Sequence, residues 1–358
     1  MKSAFIILGN GFTIDFLKNF NEYLDGKNQK AVYIDVQNLF KYGEVIGTPW
    51  DTHPGFLSYK VCPALWTLGA RPNQNEGESN ALIEEILSCA NMFFDFINDP
   101  EQKAKRLNMI DSNDRIYLRA YCELIVYLRY LFSWYNSLID DETLKDFVST
   151  CNDWGWLSFF KKIDFTKYKK IIFVSYNYDI WLERILRCLG LDFSMCGFDG
   201  EDRTIEIVKP HGSISFVSKN NAERYDINYN IDVDGIKMEE LVLESNTLTK
   251  YLAGVIIPPA GDSSRLQVTS SWADELRQLA INKARELSKS PKSIVVMCGI
   301  SYWYVDRREI DELLINLNHE TEFTFINPVP PRDLNAVLMS IFKNYVLQTS
   351  SDNIGAFL

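Results

Sequence analysis

Short apolar runs alternate along the chain with segments whose apolar residues recur every three or four positions, and this alternation predicts strands and helices in turn. The clearest unit is Lys170–Leu189, KIIFVSYNYDIWLERILRCL. Ile171 to Val174 reads as a strand, Ser175-Tyr176-Asn177-Tyr178-Asp179 as its polar tip. Leu182, Ile185, Leu186 and Leu189 then fall at helical spacing. The pattern puts Asn177 and Asp179 at the carboxyl end of a strand, the edge at which open α/β sheets bind ligands. Tyr176 and Tyr178 read as packing.

The same grammar recurs on both sides of that unit. Ala4–Leu8 predicts a strand that turns through Gly9-Asn10-Gly11 into a helix starting near Thr13. Lys30–Asp35 reads as a second strand, and Thr204–Val208 as a third, running into Lys209-Pro210-His211-Gly212-Ser213. Gly254–Pro259 predicts another strand and Trp272–Lys289 a helix. Ser293–Met297 follows as a buried-type strand ending in Cys298-Gly299-Ile300-Ser301, with a helix over Asp306–Leu317. Glu322–Ile326 closes the strand set at Asn327-Pro328, and Arg332–Tyr345 reads as a final helix. The expected fold is α/β, a Rossmann-like parallel sheet with helices on both faces. Right-handed crossovers would bring Gly9-Asn10-Gly11, Asn177, Asp179, His211, Gly299, Ser301 and Asn327 to one edge.

Between Phe56 and Phe165 the texture changes. NALIEEILSCANMFFDFI and RIYLRAYCELIVYLRYLFSWYNSLI carry helical periodicity with few strand signals. Residues 56–165 therefore read as an inserted helical module, with 1–55 and 166–358 forming the α/β core. Gly43–Gly55 is turn-rich and predicts a loop in which His53 is exposed. Val217–Tyr251 predicts a polar excursion with a hairpin at RYDINYNIDVDG.

Composition narrows the function. The 358 residues are 46% hydrophobic and 24% charged, which suits a soluble globular protein with a sizeable core. A net charge of −11 argues against a nucleic-acid surface, since phosphate contacts need clustered Lys and Arg. A helix N-terminus could still bind an anionic small molecule. The seven cysteines are scattered and never spaced as CxxC, so neither a disulfide framework nor a zinc site is expected, and no metal ligand is assigned. No stretch reaches the roughly 18 apolar residues of a membrane span, and the N-terminus has no cleavage signal, so the cytoplasm is the expected compartment.

In order, GNGF, SYNYD, KPHGS, GIS and INP resemble the SIR2-like family, most closely its bacterial anti-phage branch and the related abortive-infection proteins. The resemblance covers Met1 to about Pro331, leaving out the helical insertion and the 217–251 excursion. It implies that NAD lies across the strand ends as substrate. Gly9, Asn10, Gly11 and Phe12 would border its pyrophosphate and nicotinamide ribose. Asn177 would orient the ribose or an attacking water, Asp179 would lie near the nicotinamide, and His211 would be the general base. Gly299, Ser301 and Asn327 would hold the adenosine half. The chain departs from sirtuin deacylases in lacking paired zinc cysteines and an FR motif after the first helix, which disfavours protein deacylation and leaves water as the acceptor. The resemblance implies an NAD-depleting defence effector; because a constitutive NADase would poison its own cell, a latent state is expected, with a homo-oligomer or an activating partner defence protein as the expected partner.

The chemistry suits these residue types. Breaking the nicotinamide–ribose bond builds positive charge at the anomeric carbon, as in glycoside cleavage. An imidazole, with an ordinary pKa of about 6.5, can act as base near neutrality, and an asparagine can orient by hydrogen bonding without adding charge. Two other readings stand beside this one. One is a nucleotide-binding sensor or regulatory subunit without turnover. The other is a Rossmann oxidoreductase with Asp35 on the ribose, disfavoured because Ile14 stands where the third fingerprint glycine belongs.

Overall fold

The structure is a computed structural model that describes residues 1–48, 51–99, 115–198, 200, 203–219, 227–229, 236–245, 255–259, 271–290, 292–302 and 307–357. Backbone packing divides the chain into two compact units. The first comprises Met1–Ile34, Leu138–Pro210 and Leu276–Leu358; the second comprises Asp35–Ser137 and His211–Glu275.

The first unit is built on a seven-stranded parallel sheet flanked by helices, a Rossmann-like arrangement. Its strands are β1 (Lys2–Leu8), β2 (Tyr168–Ser175), β3 (Phe193–Met195), β4 (Ile205–Val208), β5 (Ser293–Cys298), β6 (Glu322–Ile326) and β7 (Asn344–Gln348). The order across the sheet is β7-β6-β5-β1-β2-β4-β3. Ala4 pairs with Ile171 on one side and Ile294 on the other, so the first strand lies at the centre. From Ala4 to Leu8, β1 is fully buried, as are all the residues of β5. That explains their unbroken apolar runs, because a strand covered on both faces has no polar side to alternate.

The helices of this unit are α1 (Asn10–Gly26), α2 (Asp141–Thr150), α3 (Gly155–Lys161), α4 (Trp181–Cys188), α5 (Ser271–Ser288, from Leu276 onward), α6 (Arg307–Ile315), α7 (Arg332–Ile341) and α8 (Ile354–Phe357). Phe12, Phe16, Phe20 and Leu24 recur every four residues and form the buried stripe of α1. Phe16 stands 5.6 Å from Trp154 and 5.7 Å from Trp181, ring centre to ring centre. Phe12 meets Trp156 edge-on at 5.4 Å. These aromatic contacts fix α1 behind the centre of the sheet.

The second unit holds the helices Pro63–Thr67, Glu76–Asn98 and Ile116–Ser137, with two small antiparallel pairs. Asn75 and Glu78 close a reciprocal cap at the start of Glu76–Asn98. Buried Glu123 accepts hydrogen bonds from the N–H groups of Ala64 (3.1 Å) and Leu65 (2.8 Å), capping Pro63–Thr67 from a different helix. Buried Arg129 donates to the Phe216 carbonyl at 2.8 Å.

Several expected elements are corrected. Residues 30–35 form no strand. Both backbone groups of Val32 are taken by the Asn21 side chain, at 2.8 and 3.1 Å, and Asp35 caps a turn by accepting from Asn38 N at 2.9 Å. The 43–55 loop contains a two-stranded pair, Gly47–Thr48 with Asp51–Pro54. Within 255–259 there is a single bridge, Ile256 to Gly212, and no strand of the parallel sheet. The final helix ends at Ile341 and gives way to β7, while β3 was not anticipated. The RYDINYNIDVDG hairpin lies outside the described residues apart from 227–229. Among the described residues, no helix is long and apolar enough to cross a membrane.

Candidate functional site

Because all seven strands are parallel, the tips of β1, β2, β4, β5 and β6 share one edge of the sheet. Outward from β1 the chain lays β2 and β4 on one side and β5, β6 and β7 on the other, with short β3 beyond β4. The direction of winding reverses between β1 and β5. In open α/β sheets such a reversal is where ligands settle.

Gly9-Asn10-Gly11 stands at this reversal, facing Gly299. Gly9 N–H donates to the Cys298 carbonyl at 3.0 Å and Gly11 N–H to the Gly299 carbonyl at 3.1 Å. A Cβ on Gly11 would lie 2.4 Å from the Gly299 Cα; one on Gly299 would lie 2.1 Å from the Gly11 Cα. Gly299 also has φ +61°, in the left-handed region. The glycines are thus required first by two loops pressed backbone to backbone. The same contact strips side chains from the floor of the reversal. Helix α1 opens there with Gly9 as its N-cap, no capping side chain and no acid in its first turn, an arrangement that favours an anion.

On the β2 side the polar groups are buried and bonded to one another. The Asn177 amide donates to the Gly9 carbonyl at 2.9 Å and to Thr13 Oγ1 at 3.1 Å. Thr13 in turn donates to Asp179 Oδ2 at 2.6 Å. Asp179 Oδ1 accepts from Trp181 N–H at 3.3 Å, at the start of α4. The fully buried Lys209 ammonium donates to the Asp179 carbonyl and to Glu183 Oε1, the latter at 2.9 Å. Burial drives the Asp179 carboxyl up to about 6; Lys209, the Thr13 hydroxyl and Trp181 N–H pull it down, and Glu183 pushes it up. A carboxyl poised at that value can exchange a proton close to neutral pH.

On the β5 side the groups are more open. Ser301 is exposed and Asn327 half-buried. Asn327 Oδ1 accepts from Val329 N–H at 3.0 Å, and its amide approaches the Ile300 carbonyl at 3.5 Å. Asn10 is exposed, whereas Phe12 is buried among Trp154 and Trp156.

The first unit therefore gathers Gly9, Asn10, Gly11, Asn177, Asp179, Gly299, Ser301 and Asn327 along one edge, with Phe12 beneath it. His211 belongs to the second unit, where its carbonyl accepts from Ile257 N–H at 3.0 Å. Gly212 beside it has φ +83°, and a Cβ there would stand 2.1 Å from the Val255 carbonyl oxygen. Asp35, which pairs with Lys41 at 2.8 Å, is at no strand end and so loses its role as a ribose acid. Thr13, Glu183 and Lys209 were missed. Glu183 follows Asp179 at helical spacing and was readable as its neighbour; Thr13 was not, because a hydroxyl one turn into an apolar helix looks incidental.

No family model matches the chain, and no curated protein matches it either.

Proposed function

We propose that the first unit binds NAD at the winding reversal and cleaves its nicotinamide–ribose bond with water, as an NAD-depleting anti-phage effector of SIR2-like type. The observation that carries this reading is the placement of the Gly9-Asn10-Gly11 turn, glycine at two of its three positions, and of the start of α1, which has no capping side chain, at the reversal between β1 and β5. The pyrophosphate would lie against that turn, and Ser301 and Asn327 would receive the adenosine half. Asp179 would supply negative charge near the nicotinamide ribose, where positive charge develops. Asn177 would act through the turn it holds. The resemblance gives His211 the role of base, and activation of a latent chain would come from a homo-oligomer or a partner defence protein.

Incubation of the purified chain with NAD, followed by product identification, tests the reading. Nicotinamide and ADP-ribose are expected, with loss of both products in Asn177→Ala and His211→Ala variants that remain folded. Wild-type rates in either variant would overturn that residue's role.

A second reading is favoured by the Asn177 amide and both Asp179 oxygens being already bonded within the protein. On this reading the edge binds NAD or ADP-ribose as a sensor without turnover. Calorimetric binding without nicotinamide release, alone or with a partner, would select it.

A further inference from the structure

Thr13 occupies a position that neither reading uses. Its hydroxyl accepts from Asn177 and donates to Asp179, at 3.1 and 2.6 Å, so a donor chain runs from the Asn177 amide, which also donates to the glycine turn, to a buried carboxylate. Thr13 and Asp179 are buried within the fold, and the Asn177 end of the chain also grips the Gly9 carbonyl. The direction of such a chain depends on its terminus. An ionised Asp179 only accepts, which obliges Thr13 to donate to it and leaves Thr13 oxygen free to receive Asn177. A protonated Asp179 carries a donor of its own and competes with Asn177 for that oxygen.

We propose that Thr13 is a positioning residue that couples the proton state of Asp179 to the conformation of the Gly9-Asn10-Gly11 turn, so that proton uptake at Asp179 loosens the turn and weakens ligand binding there. The ligand part rests on the NAD reading above; the coupling itself does not.

The charged and titratable groups around Asp179 set the range over which this operates. Lys209 approaches from the end of β4 and favours the ionised form; Glu183 approaches from α4 and opposes it. Lys209 and Glu183 are paired at 2.9 Å and both buried, and the pull of Lys209 on Asp179 is the larger of the two. Burial outweighs that pull and leaves its carboxyl at about 6, which a mild buffer change can cross.

The test is amide hydrogen exchange on the full chain at pH 5.5, 6.5 and 7.5, corrected for intrinsic exchange, with NAD binding measured by calorimetry on the same samples. In the wild type, protection of the Gly11 and Phe12 amides should fall at least fivefold between pH 7.5 and 5.5, and NAD affinity should fall in parallel. Thr13→Val should exchange these amides at least tenfold faster at pH 7.5 and lose the pH dependence, while Thr13→Ser restores both. Asp179→Asn should remove the pH dependence in a chain that keeps Thr13, which covers the case of a poorly folded valine variant. A change spread evenly over all of the core amides would mark Thr13 as merely structural and overturn the proposal. So would Gly11 and Phe12 exchange within twofold of wild type in both variants. If the wild type shows the pH-dependent protection yet binds no NAD, the NAD reading fails while the coupling stands.

Discussion

On one side of β1 the polar tips of β2 and β4 are buried and bonded to each other, whereas on the other side the tips of β5 and β6 stand half-open. Asn177, Thr13, Asp179, Lys209 and Glu183 form a closed set of donors and acceptors, all buried. Ser301 is exposed, and half-buried Asn327 bonds only to backbone nearby, Val329 N–H at 3.0 Å and the Ile300 carbonyl at 3.5 Å. The difference separates two tasks that a strand end can perform. The buried half holds the backbone of the turn and stores a proton-sensitive charge. The open half leaves Ser301 exposed at the edge. The glycine interlock between Gly11 and Gly299 sits on the line between them.

The most severe way to break this comparison is to attack that line. Gly299→Ala forces a Cβ to within 2.1 Å of the Gly11 Cα at a φ of +61°. It should cost at least about 4 kcal/mol, read by urea denaturation or by loss of soluble protein. Next is Lys209→Met, which strands Glu183 as an unpaired buried charge and should cost about 3–5 kcal/mol in the same assay.

A smaller effect separates the halves by pH. The Asp179 carboxyl is held at about 6 in the fold against an ordinary 3.8. Between those values the folded state binds more protons than the unfolded state, so this group's contribution to stability falls as pH rises from about 4 to about 6. Asp179→Asn should remove that slope, on the order of 2–3 kcal/mol over the interval, in melting curves taken across it. The mildest change sharpens the contrast: Ser301→Ala should leave stability within about 0.5 kcal/mol yet weaken NAD binding about tenfold by calorimetry.

How much was legible in the sequence follows the same division. Strands β1, β2 and β5 announced themselves as apolar runs because burial on both faces removes any polar alternation, while β6, EFTFI, showed as a short stretch of strand-favouring residues. Strand β7 did not, since Asn344–Gln348 has no buried residue and Phe342 continued the spacing of Leu334 and Leu338 past the true helix end. KAVYID looked like a strand, but the Asn21 side chain satisfies Val32 where a neighbouring strand would have. The GNG turn was visible, while the reason for its glycines was not, because Gly299 lies at the far end of the chain. Asn177 and Asp179 were found by their place at a strand tip. Their partners Thr13 and Lys209 were hidden, since single-residue patterns carry no information about pairings across the sheet.

The position of β1 in the middle of the sheet has a kinetic consequence. Ala4 must wait for Ile171 to form its first ladder and for Ile294 to form its second. Closing such long loops before any contact rewards them makes nucleation slow. During synthesis the apolar strand FIIL would leave the ribosome long before either neighbour exists, with both of its hydrogen-bonding edges bare. Expression yield should therefore respond to chaperone supply more than to any substitution on the open half of the edge.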